Sequence, residues 1–274
     1  MIADTPQPAA AHIAEITRRI DIGGRSLAMT CAGRGPVTVI LETGLGAESA
    51  EWAAVQGEVA AVARVCRYDR ANRGDSDPAP KPRTAAAMVD DLDTALAKAD
   101  LPGPYIAVGH SYGGLLMRVF AERHRREMKG LVLVDSMHAD QFDVFAKLFP
   151  PPSPDEPAAL TGIRAFWTVG WRSPDSTAEG IDMPASLEQD RAVKTLGDLP
   201  LRVIHADSYL HNEVAPPALQ PRLQAQWNAL QQTFLSLSSR ASLIHAAGSS
   251  HFVQRDDPAL VSRVIRDLVA EATR

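Results

Sequence analysis

Short apolar blocks alternate along this chain with longer stretches of helical composition, and glycine or proline punctuates most of the joints. Val37–Leu41, Arg64–Tyr68, Pro104–Val108, Leu131–Val134, Leu201–Ile204 and Ser242–Ala246 are too short for helices and read as strands, mostly buried on both faces. Helical composition fills about 50–62, 84–99, 115–123, 217–237 and 258–272 between and after them. Ahead of this series, Arg18–Ile22 and Ser26–Ala32 flank Gly23-Gly24 and predict an opening hairpin. The alternation predicts an α/β fold, with a mostly parallel eight-stranded sheet flanked by helices. Its rhythm breaks over 136–199, where three consecutive prolines (Pro150–Pro152) sit among helical pieces rich in Phe and Trp. This stretch predicts an inserted helical cap on a core formed by 1–135 and 200–274.

Composition narrows the function classes. With 274 residues, 45% of them hydrophobic, the chain can bury a large core. A net charge of −5 with both signs interspersed argues against nucleic acid or an anionic membrane as partner, and favours a small neutral or weakly charged molecule. No stretch reads as a membrane span, and Met1 to Glu15 lacks a basic start followed by an apolar run, so the expected location is cytoplasmic. Cys31 and Cys66 fall in strand-like runs without CxxC spacing and are expected to be buried, reduced thiols. No metal cluster or nucleotide loop is visible, and no cofactor is expected.

The candidate chemistry lies at Val108-Gly109-His110-Ser111-Tyr112-Gly113-Gly114, where a buried strand runs into a helix through a serine held between glycines. Such a turn closes backbone on backbone, leaves no room for a Cβ at Gly109 or Gly113, and pushes Ser111 outward. Serine is a weak nucleophile at neutral pH without a neighbouring base, so a histidine is required. His110 lies inside the turn and points away by alternation. His205 sits in a strand, and His124 in the basic helix end Arg123-His124-Arg125-Arg126. His251, in the loop Gly248-Ser249-Ser250-His251-Phe252, is the candidate base.

Together with Leu41-Glu42-Thr43-Gly44-Leu45-Gly46 and Tyr68-Asp69-Arg70-Ala71-Asn72-Arg73-Gly74-Asp75-Ser76, the serine turn and the His251 loop resemble the α/β-hydrolase superfamily from about Arg18 onward. The resemblance implies the chain order nucleophile, acid, histidine. It offers two places for the acid: Asp135, at the end of the strand after the elbow helix, is preferred, and Asp207, after the next strand, is the alternative. It implies an oxyanion hole built from the backbone N–H groups of Leu45 and Tyr112, although Thr43-Gly44 stands where many relatives carry His-Gly. Asn72 occupies a position often held by glycine and tolerates positive φ. Glu42 and Arg70, at the ends of neighbouring strands, are expected to form a buried ion pair that fixes their loops.

For substrate binding, Trp52, Phe145, Phe149, Trp167 and Trp171, with Leu45 and Tyr112, are expected to wall an apolar pocket under the cap. These readings predict a cofactor-independent serine hydrolase acting on a small-molecule ester or lactone. The alternatives are thioester, amide or carbon–carbon cleavage by the same residues, and a ligand receptor of low turnover on the same fold.

Overall fold

The computed structural model describes residues 13–210 and 215–274. Most of the Met1 to Glu15 segment lies outside the described residues. The expected hairpin is β1 (Glu15–Asp21) and β2 (Ser26–Ala32), antiparallel, and six further strands follow: β3 (Thr38–Glu42), β4 (Arg64–Tyr68), β5 (Tyr105–His110), β6 (Met128–Val134), β7 (Leu201–Ala206) and β8 (Ala241–Ala246). They form one sheet in the order β1-β2-β4-β3-β5-β6-β7-β8. β2 also pairs antiparallel with β4, and from β4 to β8 every pairing is parallel. The expected mostly parallel, eight-stranded sheet is present.

The central strands are buried on both faces, and alternation assigns their side chains to two cores. In β5, Tyr105 and Ala107 face one cluster while Ile106 and Val108 face the other; in β6, Leu131 and Leu133 oppose Val132 and Val134 in the same way. The first core is covered by α2 (Ala85–Lys98) and α3 (Tyr112–Arg123), the second by α1 (Ala53–Val59) and α9 (Pro258–Ala272). Local chemistry marks the helix starts. Thr84 Oγ1 accepts the Ala87 N–H at 3.2 Å, and Asp257 Oδ1 accepts the Leu260 N–H at 2.9 Å just ahead of Pro258. Along α9 the buried residues Leu260, Val261, Val264, Ile265, Leu268 and Val269 recur at helical spacing and lay one apolar stripe on the sheet.

Between β6 and β7 the chain forms α4 (Gln141–Ala146), α5 (Ala158–Thr168) and α6 (Met183–Arg191), with short 3-10 turns between the last two. α6 is tied to the elbow helix α3 through buried Arg118, which donates to Asp190 with Nε and Nη2, each at 2.7 Å. Between β7 and β8 lies α7 (Gln220–Thr233), and the short α8 (Val253–Asp256) precedes α9. α4 packs on both α5 and α7. The roof over the C-terminal ends of the strands therefore draws on the 136–199 insert and on the β7–β8 connection together.

One expectation is corrected here. Cys31 and Cys66 are joined by a disulfide and are not free thiols. They are directly opposed residues of the antiparallel pair β2 and β4, a neighbourhood invisible while the two runs were read separately. Structural disulfides belong to oxidising compartments, so the pair weighs against the cytoplasmic expectation. Among the described residues no helix is long and apolar enough to cross a membrane. Alkylation of the unfolded, unreduced protein followed by mass spectrometry is expected to add no label, and prior reduction to add two; two labels without reduction would show the thiols to be free.

Candidate active site

β5 delivers His110 to the edge of the sheet and α3 begins at Tyr112, so Ser111 occupies the whole turn between them. Its backbone takes φ 52° and ψ −121°, a conformation a non-glycine residue adopts only when its surroundings impose it. Here they do. The Ser111 N–H donates to Val134 O at 3.1 Å, and its carbonyl accepts from Gly114 N at 3.0 Å and Met137 N at 2.9 Å. The crowding foreseen at the glycines is present: a Cβ on Gly109 would stand 2.4 Å from Gly113 O, and one on Gly113 would stand 2.4 Å from Thr43 O and 2.6 Å from Glu42 O.

The end of β6 is held beside the turn. Asp135 has φ 42°, and its N–H donates to Ile204 O at 2.7 Å. Its side chain is fully buried. Oδ1 accepts from Ala206 N at 3.0 Å and from Trp227 Nε1 at 2.7 Å, while Oδ2 accepts from the Ser208 hydroxyl and lies 2.6 Å from His251 Nδ1. The other three groups on this carboxylate are donors, so no proton is needed on it. The shared hydrogen therefore sits on His251 Nδ1 and leaves a lone pair on Nε2. His251 and Ser111 line the same cavity.

Asp207 is placed differently. Its Oδ1 lies 2.9 Å from His245 Nε2, and its Oδ2 accepts from Gly248 N at 2.7 Å. Burial would raise its pKa, but the Gly248 N–H and His245 outweigh it and hold the carboxyl below its ordinary value. Asp207 thus braces the turn leading to His251 without touching that imidazole.

His110 does not simply point away. It is buried, its ring centroid lies 4.6 Å from that of His251, and its Nε2 lies 2.8 Å from His251 O. A carbonyl only accepts, so Nε2 carries the hydrogen. Burial, reinforced by the neighbouring His251, pushes the His110 pKa well below the ordinary imidazole value and keeps the ring neutral. His205, in β7, stacks on His245 with ring centroids 4.7 Å apart.

Leu45 lines the same cavity as Ser111, and the Tyr112 N–H is the first amide of α3, which has no partner within its own helix. Gly44 is pressed against the serine, since a Cβ added there would lie 3.2 Å from Ser111 Cβ. The expected pair of Glu42 and Arg70 is present, with an Arg70 Nη1 to Glu42 Oε1 distance of 2.5 Å, and a third member joins it. Glu179, from the insert, receives Arg70 Nε at 2.7 Å and Nη2 at 2.8 Å. Arg70 also donates to Thr43 O and Gly44 O, each at 2.7 Å, and the Tyr68 hydroxyl donates to Glu42. Burial pushes the Glu42 carboxyl above its usual range against the opposing pull of Arg70 and Tyr68. Burial alone would lower Arg70, but the two carboxylates outweigh it and hold the guanidinium well above its ordinary pKa, fully cationic. Asn72 has the positive φ expected of it, 70°.

The cavity over Ser111 measures about 410 Å³ and is walled by Phe142, Phe166, Trp167, Tyr209, Trp227 and Phe252, with Leu45, Met137 and Ile163. Of the aromatics proposed from sequence, Trp167 lines it. Trp52 lies instead in the core beneath the sheet with Val55 and Val59, because it enters α1 on that helix's inward face. Phe145 stands behind the wall, 4.9 Å from Trp167; Trp171 stacks on the outer face of Phe142 at 4.5 Å; Phe149 packs against the cluster around Phe145 and Trp227. The Tyr112 ring is buried beside Met88 and Ser186 and lines no part of the cavity. Tyr209 and Trp227, which the sequence reading missed, come from the β7–β8 connection, where no local signal marks them. A larger cleft of about 880 Å³ beside β1, lined by Ile16, Met29 and Leu101 among others, contains none of Ser111, His251 or Asp135 and is not taken as the site.

Known proteins resemble this chain in sequence and in fold. A family model described as "alpha/beta hydrolase fold" matches residues 37–179. The uncharacterized protein YqjL of Bacillus subtilis (strain 168) is 27% identical over 237 residues, covering 86% of this chain and 85% of its own. Among solved structures, a thermophilic esterase from Thermogutta terrifontis superposes with a TM-score of 0.60 at 19% identity, covering 94% of this chain and 99% of its own. A haloalkane dehalogenase loop variant from Bradyrhizobium elkanii superposes with a TM-score of 0.62 at 15% identity, covering 95% and 97%. At such identities the two structures speak for the fold alone.

The crowding at the elbow carries its own test. Gly113→Ala would drive a methyl into two backbone carbonyls, which cannot yield as a side-chain tip can. It is expected to lower stability by about 2 to 4 kcal/mol, read as an earlier urea midpoint, whereas Gly57→Ala, in open space on α1, is expected to leave the midpoint unchanged or raise it.

Proposed function

This chain belongs to the alpha/beta hydrolase fold family, and on that footing we propose that it is a serine hydrolase cleaving carboxylic esters or lactones of small apolar molecules through an acyl-enzyme. The carrying observation is His251 Nδ1 at 2.6 Å from the buried Asp135 carboxylate, on an imidazole that shares one cavity with Ser111. In this reading His251 Nε2 takes the Ser111 proton as Oγ attacks the carbonyl carbon. The new oxyanion is received by the N–H groups of Leu45 and Tyr112. The proton then passes from Nε2 to the departing alkoxide, leaving an ester on Ser111. Water, deprotonated by the same nitrogen, attacks that ester, and Ser111 departs with the proton returned. Asp135 orients the ring and stabilises the imidazolium formed twice in the cycle.

Superposition on both an esterase and a dehalogenase leaves the chemistry open, and the residue at the elbow supports the esterase reading. Haloalkane dehalogenase and epoxide hydrolase chemistry requires a carboxylate to form an alkyl-enzyme ester, and a serine stands at this elbow. The aromatic wall favours an acyl or alcohol part with flat or branched apolar bulk.

A fluorophosphonate is expected to label Ser111 in the folded protein, and p-nitrophenyl esters of rising chain length to be turned over with a preference set by the cavity. Absence of labelling would favour a receptor of low turnover. Labelling with turnover only of a thioester or a β-diketone would move the assignment to those bonds. Asp135→Asn is expected to lower kcat by about 10⁴-fold and Asp207→Asn by less than about 10-fold, since only the first alters the partner of His251. The reverse ranking would assign the acid to Asp207.

A further inference from the structure

Resting on that reading, we infer that Arg70 and Glu179 are positioning residues for the oxyanion hole: together they aim the Leu45 N–H, so that the insert supplies part of the machinery for transition-state binding as well as a roof. The argument starts from peptide planarity. In a trans peptide the C=O of one residue and the N–H of the next point in opposite directions, so whatever grips the Gly44 carbonyl sets the heading of the Leu45 N–H. Arg70 Nη2 grips that carbonyl at 2.7 Å, and Nη1 grips the preceding one, Thr43 O, at 2.7 Å. On the far side of Leu45, the Gly46 N–H donates to Glu179 Oε1 at 2.8 Å. The amide of Leu45 is thus bracketed by two anchored groups, next to a glycine pressed on Ser111. Gly44 has no Cβ and few steric limits of its own, and beyond the long 3.4 Å bond from the Ala47 N–H to Gly44 O the turn takes its heading from these anchors.

The anchors are built to hold still. Arg70 is 3% exposed and Glu179 and Glu42 are 0% exposed, and the guanidinium is fixed by Glu42 through Nη1 and by Glu179 through both Nε and Nη2. A structural ion pair would need one carboxylate. The second comes from 109 residues away and also reaches the loop backbone at Gly46, as a device for orienting that loop would. Glu179 lies just ahead of α6, which Asp190 binds to Arg118 on the elbow helix, so both donors of the hole are referenced to the same inserted segment.

The test uses Glu179→Gln, which preserves shape and one acceptor oxygen while removing the charge, alongside Arg70→Lys and Arg70→Met. For each, kcat and KM toward a p-nitrophenyl ester are measured together with Ki for an alkyl trifluoromethyl ketone, whose adduct with a serine carries an oxyanion. Complete loss of an oxyanion donor costs about 10² to 10³ in kcat, and a misaimed one part of that. Glu179→Gln is expected to lower kcat about 10-fold with KM unchanged and to raise Ki in proportion. Arg70→Met is expected to lower kcat about 10²-fold, and Arg70→Lys, which can still reach one carbonyl, to recover part of that loss. If Glu179→Gln lowers thermal stability while leaving kcat and Ki unchanged, the residue is merely structural and the inference falls. Wild-type protein that resists fluorophosphonate labelling overturns the hydrolase reading and this inference with it, whereas labelled, active wild type beside fully active variants overturns the inference alone.

Discussion

The Asp135 carboxylate receives hydrogen bonds from four directions, and most of the site's geometry follows from that convergence. Ala206 N–H brings the end of β7, Ser208 the segment beyond it, Trp227 the helix α7, and His251 the loop after β8. A buried carboxylate left short of donors is costly, so each of these elements is drawn toward one point. His251 arrives there with its hydrogen already committed to Nδ1, and its other nitrogen is left free by the same bond.

On the opposite side of Ser111 the arrangement is electrostatic and inverted. A cation, Arg70, lies at the centre, two carboxylates hold it, and backbone carbonyls accept what remains of its donor capacity. The serine turn stands between an anion held by donors and a cation held by acceptors. Both central groups, Asp135 and Arg70, are buried, so little water competes with their bonds, and the strained backbone at Asp135 persists because its four partners over-determine it.

Much of this was legible before the structure. Apolar blocks marked six of the strands, because parallel strands buried on both faces leave uninterrupted runs such as Val37–Leu41, and Gly23-Gly24 marked the hairpin formed by the other two. The glycines around Ser111 marked the turn, because only backbone-to-backbone crowding demands them. What stayed hidden depends on which segments become neighbours. Cys31 and Cys66 read as separate thiols because nothing local shows that β2 lies beside β4. Trp52 resembled a pocket residue because composition does not say which side of the sheet a helix covers. Glu179 sat in an insert noticed for its aromatics, and its partner Arg70 lies across the fold from it in sequence. Trp227 looked like any core residue of an amphipathic helix.

Trp227 has a double attachment. Its ring is part of the cavity wall, and its Nε1–H belongs to the Asp135 carboxylate. A change there intended to admit a bulkier molecule would also strip the acid of a donor, so selectivity and reactivity are inseparable at that position. Phe142, Phe166 and Trp167, carried by α4 and α5, share the wall but bond to none of the reacting groups among the described residues. Divergence in substrate preference among descendants of such a protein has an open route through those helices, and a closed one through α7.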